Sequence, residues 1–220
     1  MFNIAIDGPS GAGKSTVARK VAQSLGFVYV DTGAMYRAIG VHVMRCGLPT
    51  DDEQAVLSVL FDAKIELTYV NGEQRVLLNG EDVSVDIRLP EASMAASNVS
   101  AIPKVREYLF DLQKNMAAAK DCIMDGRDIG TVVLPDAQVK IFLTASAEER
   151  AKRRYIELQQ RGTPVDYDEL LAEIRQRDYN DSHRTTAPLK KAEDAVEIDS
   201  TNYSIDEIVA MILKIAEERR

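Results

Sequence analysis

From Gly8 to Ser15 the chain reads Gly-Pro-Ser-Gly-Ala-Gly-Lys-Ser, a complete G-x-x-x-x-G-K-[ST] spacing, and Thr16 follows directly. These residue types suit the recognition of a polyphosphate. Gly8, Gly11 and Gly13 let the backbone wrap so that N–H groups point inward at phosphate oxygens, with Pro9, Ser10 and Ala12 completing the loop. A helix placed after the loop adds the positive end of its dipole. Lys14 is expected to reach the β- and γ-phosphates, and the Ser15 hydroxyl to ligate Mg²⁺. The spacing therefore implies a nucleoside triphosphate as ligand.

Three further groups carry chemistry. Asp31-Thr32-Gly33-Ala34-Met35-Tyr36-Arg37 follows a short apolar run, and Asp125-Gly126-Arg127-Asp128 ends another. Residues at such strand ends line the ligand edge of a doubly wound sheet. Asp125 is either a partner of Mg²⁺ reached through water or a structural carboxylate. Arg177, Asp181 and Arg184 fall at i, i+4 and i+7 of one helical face, a pattern that a solvated, ion-paired surface would also show. Arginines also cluster at Arg150, Arg153, Arg154, Arg161, Arg175, Arg177 and Arg184. On an acidic chain such a cluster suits a small anionic ligand, although a solvated helix face fits most single members equally well.

The elements that must position these residues can be read from periodicity. Residues 2–7 form a strand, and residues 14–25 a helix that Gly26 stops. A second strand over 27–30 leads into a helix over 34–45, and 52–64 is helical again. Then 64–70, 74–78 and 81–85 alternate as strands joined by Asn71-Gly72 and Asn79-Gly80, which predicts a three-stranded antiparallel insertion. Helices are expected over 89–100 and 103–119, the latter opening with Pro103. Residues 122–125, 139–143 and 196–199 complete the strands. Ser146 with Glu149, Asp166 with Glu169 and Ser204 with Glu207 open the remaining helices as capping boxes. Alternating strands and helices imply an α/β fold, with a parallel sheet covered on both faces.

Composition narrows the class. The 220 residues include 27 basic and 35 acidic side chains, a net charge of −8. The acidity concentrates in residues 45–91, which sum to −6, and in residues 193–220, which sum to −5. With no basic stripe, a nucleic-acid surface is not expected. No apolar run approaches a membrane span. Cys46 and Cys122 have no metal-type spacing and read as reduced thiols of a cytoplasmic protein. The low aromatic content (6%) and the acidic tail favour a monomer. No Asn-Lys-x-Asp or Asp-x-x-Gly motif for guanine nucleotides stands out. A small-molecule kinase with a helical segment that closes over its phosphates fits best. His42 and His183 are given no role.

The runs IAIDGPSGAGKST, DTGAMYR, NVSAIPKVR, DGRDIGTVVLPDAQVKIFLTAS and RDYNDSHR followed by APL resemble bacterial-type cytidylate kinase over essentially the whole chain. The resemblance implies transfer of the γ-phosphoryl group of Mg-ATP to CMP or dCMP. It implies a P-loop sheet fold as one kinase chain over 1–220. Its core would be 1–31, 120–146 and 185–220, its acceptor-binding part with the β insertion 32–119, and its lid helices 147–184. Carried over, Thr32, Tyr36 and Arg37 would border the CMP phosphate and sugar, and Ser97, Arg106 and Asp128 would read the cytosine. Arg127, Arg177, Asp181 and Arg184 would hold the acceptor phosphate and ribose. Arg150, Arg153, Arg154 and Arg161 would approach the transferring group from the lid. Thr stands at position 32 where relatives are expected to have Ser, which keeps the hydroxyl. The alternatives are a P-loop kinase for UMP, AMP or shikimate, or a nucleotide-binding regulator or nucleic-acid-binding ATPase without phosphotransfer.

Overall fold

A computed structural model of the protein describes residues 1–70, 72–160 and 162–220. The chain divides into two units, 1–29 with 117–220, and 30–116.

The larger unit starts with β1 (Asn3–Asp7), whose last four residues are buried. The phosphate loop follows, then α1 (Lys14–Leu25), bounded by Gly13 and Gly26 at positive φ. The chain passes into the second unit within β2 (Val28–Asp31). It returns to form β6 (Cys122–Gly126), β7 (Val139–Thr144) and β8 (Val196–Asp199), numbered with the three strands of the second unit in between. The sheet order is β2-β6-β1-β7-β8. β1 pairs in parallel with β6 and β7, and β7 in parallel with β8. Side chains of these strands (Ile4, Ile6, Ile123, Val139, Ile141, Leu143) form one core with Val17 and Val21 of α1 and with Ile208 and Ile212 of the last helix. That last helix, Ile205–Glu218, has the predicted reciprocal capping box between Ser204 and Glu207. Cys122 is buried in this unit, and burial pushes its thiol up to about 12.

The smaller unit holds α2 (Thr32–Arg45), α3 (Glu53–Val59), α4 (Pro90–Ala101) and all but the last residues of α5 (Pro103–Ala119). It also holds the antiparallel sheet β3 (Ile65–Val70), β4 (Glu73–Leu78) and β5 (Glu81–Asp82). α2 and α4 come so close that a Cβ on Gly40 would lie 2.7 Å from the Ala95 methyl, so only glycine fits there. Asn79 and Gly80 both take positive φ (52° and 84°), the turn expected of Asn-Gly. In the other hairpin, Asn71 lies outside the described residues.

Two expectations are corrected. The strand over 81–85 stops at Asp82, because the Asp82 carboxylate accepts from the Ser84 N–H (2.9 Å) and the Ser84 hydroxyl accepts from the Val76 N–H (3.0 Å). One backbone bond, from the Val83 N–H to the Val76 carbonyl oxygen (2.9 Å), remains, and the side-chain oxygens take up the Ser84 and Val76 N–H groups. The helix over 52–64 is regular only to Val59, followed by one tight turn over Leu60–Asp62.

The helices that carry the arginines are α6 (Ala147–Gln160) and α7 (Tyr167–His183), both in the larger unit, and the last helix is α8. Asp166 caps α7 by accepting from the Asp168 and Glu169 N–H groups.

Candidate active site

In the larger unit the site is built on the C-terminal ends of β1 and β6. Gly8 has φ 149°, and a Cβ there would lie 1.9 Å from the Leu143 carbonyl oxygen, so no side chain is tolerated. Gly11 and Gly13 also take positive φ (79° and 92°). Lys14 is buried and donates to the Pro9 carbonyl oxygen at 2.7 Å. Burial and the nearby Arg127 cation hold its ammonium well below the usual lysine range. Two cations, Lys14 and Arg127, thus lie near the loop with Asp125, Asp181 and Asp7 around them, and a glycine loop ahead of a helix N-terminus suits an oligophosphate.

Two carboxylates, Asp125 and Asp7, lie beside the loop. The Ser15 hydroxyl donates to Asp125 Oδ2 (2.7 Å), and the Tyr29 hydroxyl donates to Asp125 Oδ1 (2.9 Å). Mg²⁺ on a nucleotide is held by one or two protein oxygens together with phosphates and water, so this hydroxyl–carboxylate pair fits it. Asp7, at the end of β1, accepts from the Ile129 N–H (2.8 Å) and the Gly130 N–H (2.7 Å). Burial pushes its carboxyl up to about 6, against the lowering by those two bonds. The backbone from Ile129 to Val133 makes one wide turn, with the Val133 and Leu134 N–H groups reaching back five residues to Asp128 and Ile129. Such wide turns are uncommon and recur at functional sites. Here it follows directly on Arg127 and Asp128.

Arg127 and Asp128 meet α7. Arg127 Nε donates to Asp181 Oδ2 at 2.7 Å, and Arg184 lies 3.7 Å from Asp128 Oδ1 and 4.0 Å from Asp181 Oδ1. Burial pushes the Asp181 carboxyl up, but Arg127, Arg177 and Arg184 together hold it below the usual carboxylate range. The site thus gathers three arginines around two buried carboxylates, with arginine in excess. Such a set grips an anion bidentately.

Two arginines of α6 brace the loop, Arg150 directly and Arg153 through Ser200. Arg150 is buried; its Nε donates to the Ala145 carbonyl (2.9 Å), its Nη1 to the Ser10 carbonyl (2.9 Å), and both Nη atoms to Asp178. Arg153 donates to Ser200 Oγ (3.2 Å) and to the Ser200 carbonyl (2.7 Å), and the Ser200 hydroxyl donates to the Ala12 carbonyl (3.2 Å). Arg154 pairs with Glu157 at 2.9 Å. Arg161 lies outside the described residues.

The smaller unit carries a second cluster. The Asp31 carboxylate caps α2 by accepting from the Ala34 N–H (2.9 Å) and also takes a bond from Arg37 Nη2 (2.7 Å). Thr32, buried, begins the helix. Arg106 lies over the Tyr36 ring, 5.3 Å from its centroid, and donates to the Ser100 carbonyl at 3.2 Å. The Ser100 hydroxyl donates in turn to the Ser97 carbonyl at 3.0 Å. The arrangement holds a guanidinium over an aromatic face.

The family model described as cytidylate kinase matches residues 4–218. The cytidylate kinase of Caldicellulosiruptor saccharolyticus is 55% identical over 214 residues, covering 97% of this chain and 95% of its own. The chain belongs to the cytidylate kinase family. The cytidylate kinase of Lactobacillus johnsonii is 50% identical and covers 100% of this chain and 96% of its own. That of Geobacillus kaustophilus is 52% identical over 218 residues, 99% of this chain and 97% of its own. Among solved structures, an uncharacterized protein from Eubacterium ventriosum shares the fold, with a TM-score of 0.53 at 14% identity and 99% coverage of both chains. As a member of the cytidylate kinase family, the chain is an ATP-dependent phosphotransferase of the nucleoside monophosphate kinase type.

Within the larger unit, the structure brings Lys14, Ser15, Asp125, Arg127, Asp128, Asp181 and Arg184 into two adjoining clusters. Within the smaller one it brings Thr32, Arg37, Tyr36 and Arg106 to the N-terminal part of α2, with Ser97 one turn from the Arg106 anchor. Sequence reasoning missed Asp7, Asp178 and Ser200. A carboxylate ending an apolar strand directly before Gly8 was the one available sign of Asp7, and Asp178 stood unremarked between Arg177 and Asp181.

Proposed function

We propose that this kinase transfers the γ-phosphoryl group of Mg-ATP to CMP and dCMP, giving CDP and dCDP, as a cytoplasmic monomer. The observation that supports it most is the cluster of Arg127, Arg177 and Arg184 around Asp128 and Asp181, in the same unit as a complete phosphate loop. A hydrolase has no need of a second anion grip; a kinase with a phosphorylated acceptor does.

The residue roles follow. Residues Gly8 to Thr16 hold the donor phosphates, and Lys14 neutralises charge that develops between the β- and γ-phosphates. Mg²⁺, held through Ser15 and through water by Asp125, would supply further neutralisation on the phosphate oxygens. Thr32, Tyr36 and Arg37 border the acceptor phosphate and sugar, while Arg127, Arg177, Asp181 and Arg184 hold its phosphate and ribose hydroxyls. Arg150, which already reaches the loop at Ser10, acts with Arg153, Arg154 and Arg161 on the transferring group. An acceptor phosphate oxygen is already anionic, so no general base is required. That oxygen bonds to the γ-phosphorus as the bond to the β-bridging oxygen breaks, and ADP leaves with the electron pair.

Base choice rests on Asp128, Arg106 and Ser97. A carboxylate at Asp128 accepts from the cytosine 4-amino group, and Arg106 donates to N3 or O2. Uracil would set a carbonyl against that carboxylate, a mismatch on the order of 10⁴-fold. The test is ADP formation by the pure enzyme with CMP, dCMP, UMP, AMP and shikimate offered separately. Turnover with CMP and dCMP alone is expected; comparable turnover with UMP would overturn the base assignment.

A further inference from the structure

We propose that Gln74, on β4 of the small antiparallel sheet, is a positioning residue for the acceptor's phosphate group, acting through the backbone of Asp31. The inference rests on the reading that Thr32, Tyr36 and Arg37 border the acceptor phosphate and sugar. It gives the β insertion a task in the reaction.

Asp31 is the residue at which β2 ends and α2 begins, and all of its polar groups are engaged. Its N–H donates to Gln74 Oε1 at 2.9 Å, and Gln74 Nε2 reaches its carbonyl oxygen at 3.5 Å. One side-chain amide thus takes both backbone groups of one residue, as a neighbouring strand would. The Asp31 carboxylate meanwhile holds the first turn of α2 through Ala34 and the Arg37 guanidinium through Nη2. The turn has little slack: a Cβ on Gly33 would lie 3.1 Å from Arg37 Nη1 and 3.2 Å from Asp31 Oδ1.

Gln74 is therefore the tie between the sheet and the residue that aims Arg37 and starts the helix at Thr32. It sits in register opposite Tyr69 in the paired part of the hairpin, so its backbone is fixed by the ladder. Ser97 and Arg106 are joined through Ser100, a chain that makes no bond to Gln74, although Arg106 also lies over the Tyr36 ring of α2. Cutting the Gln74 tie should loosen the phosphate grip and leave base recognition alone.

The test uses Gln74→Met, close in shape and without hydrogen bonds, beside Arg37→Met and the unaltered enzyme. KM is measured for CMP and for ATP, and an inhibition constant for cytidine, which has the base and sugar but no phosphate. Gln74→Met is expected to raise KM for CMP on the order of fivefold to tenfold. KM for ATP and the cytidine constant should be essentially unchanged, while the melting temperature should fall by a few degrees because the Asp31 N–H loses its partner. An unchanged KM for CMP in Gln74→Met, with a raised one in Arg37→Met, overturns the inference and leaves the site reading intact. Equal losses for CMP and cytidine overturn it too, since a merely structural residue would act on both. An unchanged KM for CMP in Arg37→Met overturns the reading on which the inference rests.

Discussion

Asp7 offers a perturbation whose sign and size can be worked out. Its carboxyl is raised from the ordinary 3.8 to about 6 by burial, although two backbone N–H groups donate to it. A carboxyl that holds its proton more tightly in the folded chain favours folding while it is protonated. Its contribution is full below about pH 4 and is lost as pH rises through about 6. A displacement of that size corresponds to about 3 kcal/mol in total, of which about 2 kcal/mol is traversed between pH 4.5 and 7.5. Asp7→Asn removes the titration. Its amide oxygen can take one of the two N–H donors while its NH₂ faces the other, a cost of about 1–3 kcal/mol at every pH. Denaturant unfolding of both proteins at pH 4.5, 6 and 7.5 isolates the effect, because the other carboxylates cancel in the difference. The difference should move in favour of Asp7→Asn by about 2 kcal/mol from pH 4.5 to 7.5, or about 4–8 °C in melting temperature. A constant offset across that range, or a movement in the opposite sense, would refute the reasoning.

Three other outcomes follow from the site. Asp128→Ala should collapse the preference for CMP over UMP, read as the ratio of kcat/KM, with CMP losing at least about tenfold; a retained preference would place base reading elsewhere. Arg150→Ala breaks a pair with Asp178 and frees the Ser10 carbonyl, so unfolding free energy should fall by about 3 kcal/mol and KM for ATP should rise. Ser15→Ala should lower kcat on the order of 10²-fold and raise the Mg²⁺ concentration for half-maximal rate, checked by titrating Mg²⁺ at fixed ATP.

Local signals were the legible part of this chain. The glycine loop, the stop at Gly26, the caps at Asp166 and Ser204 and the Asn79-Gly80 turn each depend on a few consecutive residues, and all stand as expected. So does the parallel sheet, whose central strands β1 and β6 are buried almost throughout. The site's supports were not legible because they join distant positions: Asp7 to Ile129 and Gly130, Arg150 to Ser10, Gln74 to Asp31. Nothing in the period or composition around Gln74 marks it off from any other polar strand residue. The wide turn over Ile129–Val133 was equally hidden, since a strand end and a turn of five-residue reach share the same apolar letters. Arg150 shows the converse. Its sequence neighbours suggest a solvated helix face, yet its guanidinium is buried against the phosphate loop.

The most direct test of the central claim is to follow the label from γ-³²P-ATP in a single turnover with Mg²⁺ and CMP. The account predicts that the label appears in CDP as ADP forms in equal amount, with little inorganic phosphate. Label released only as inorganic phosphate, or no transfer to CMP at all, would contradict it.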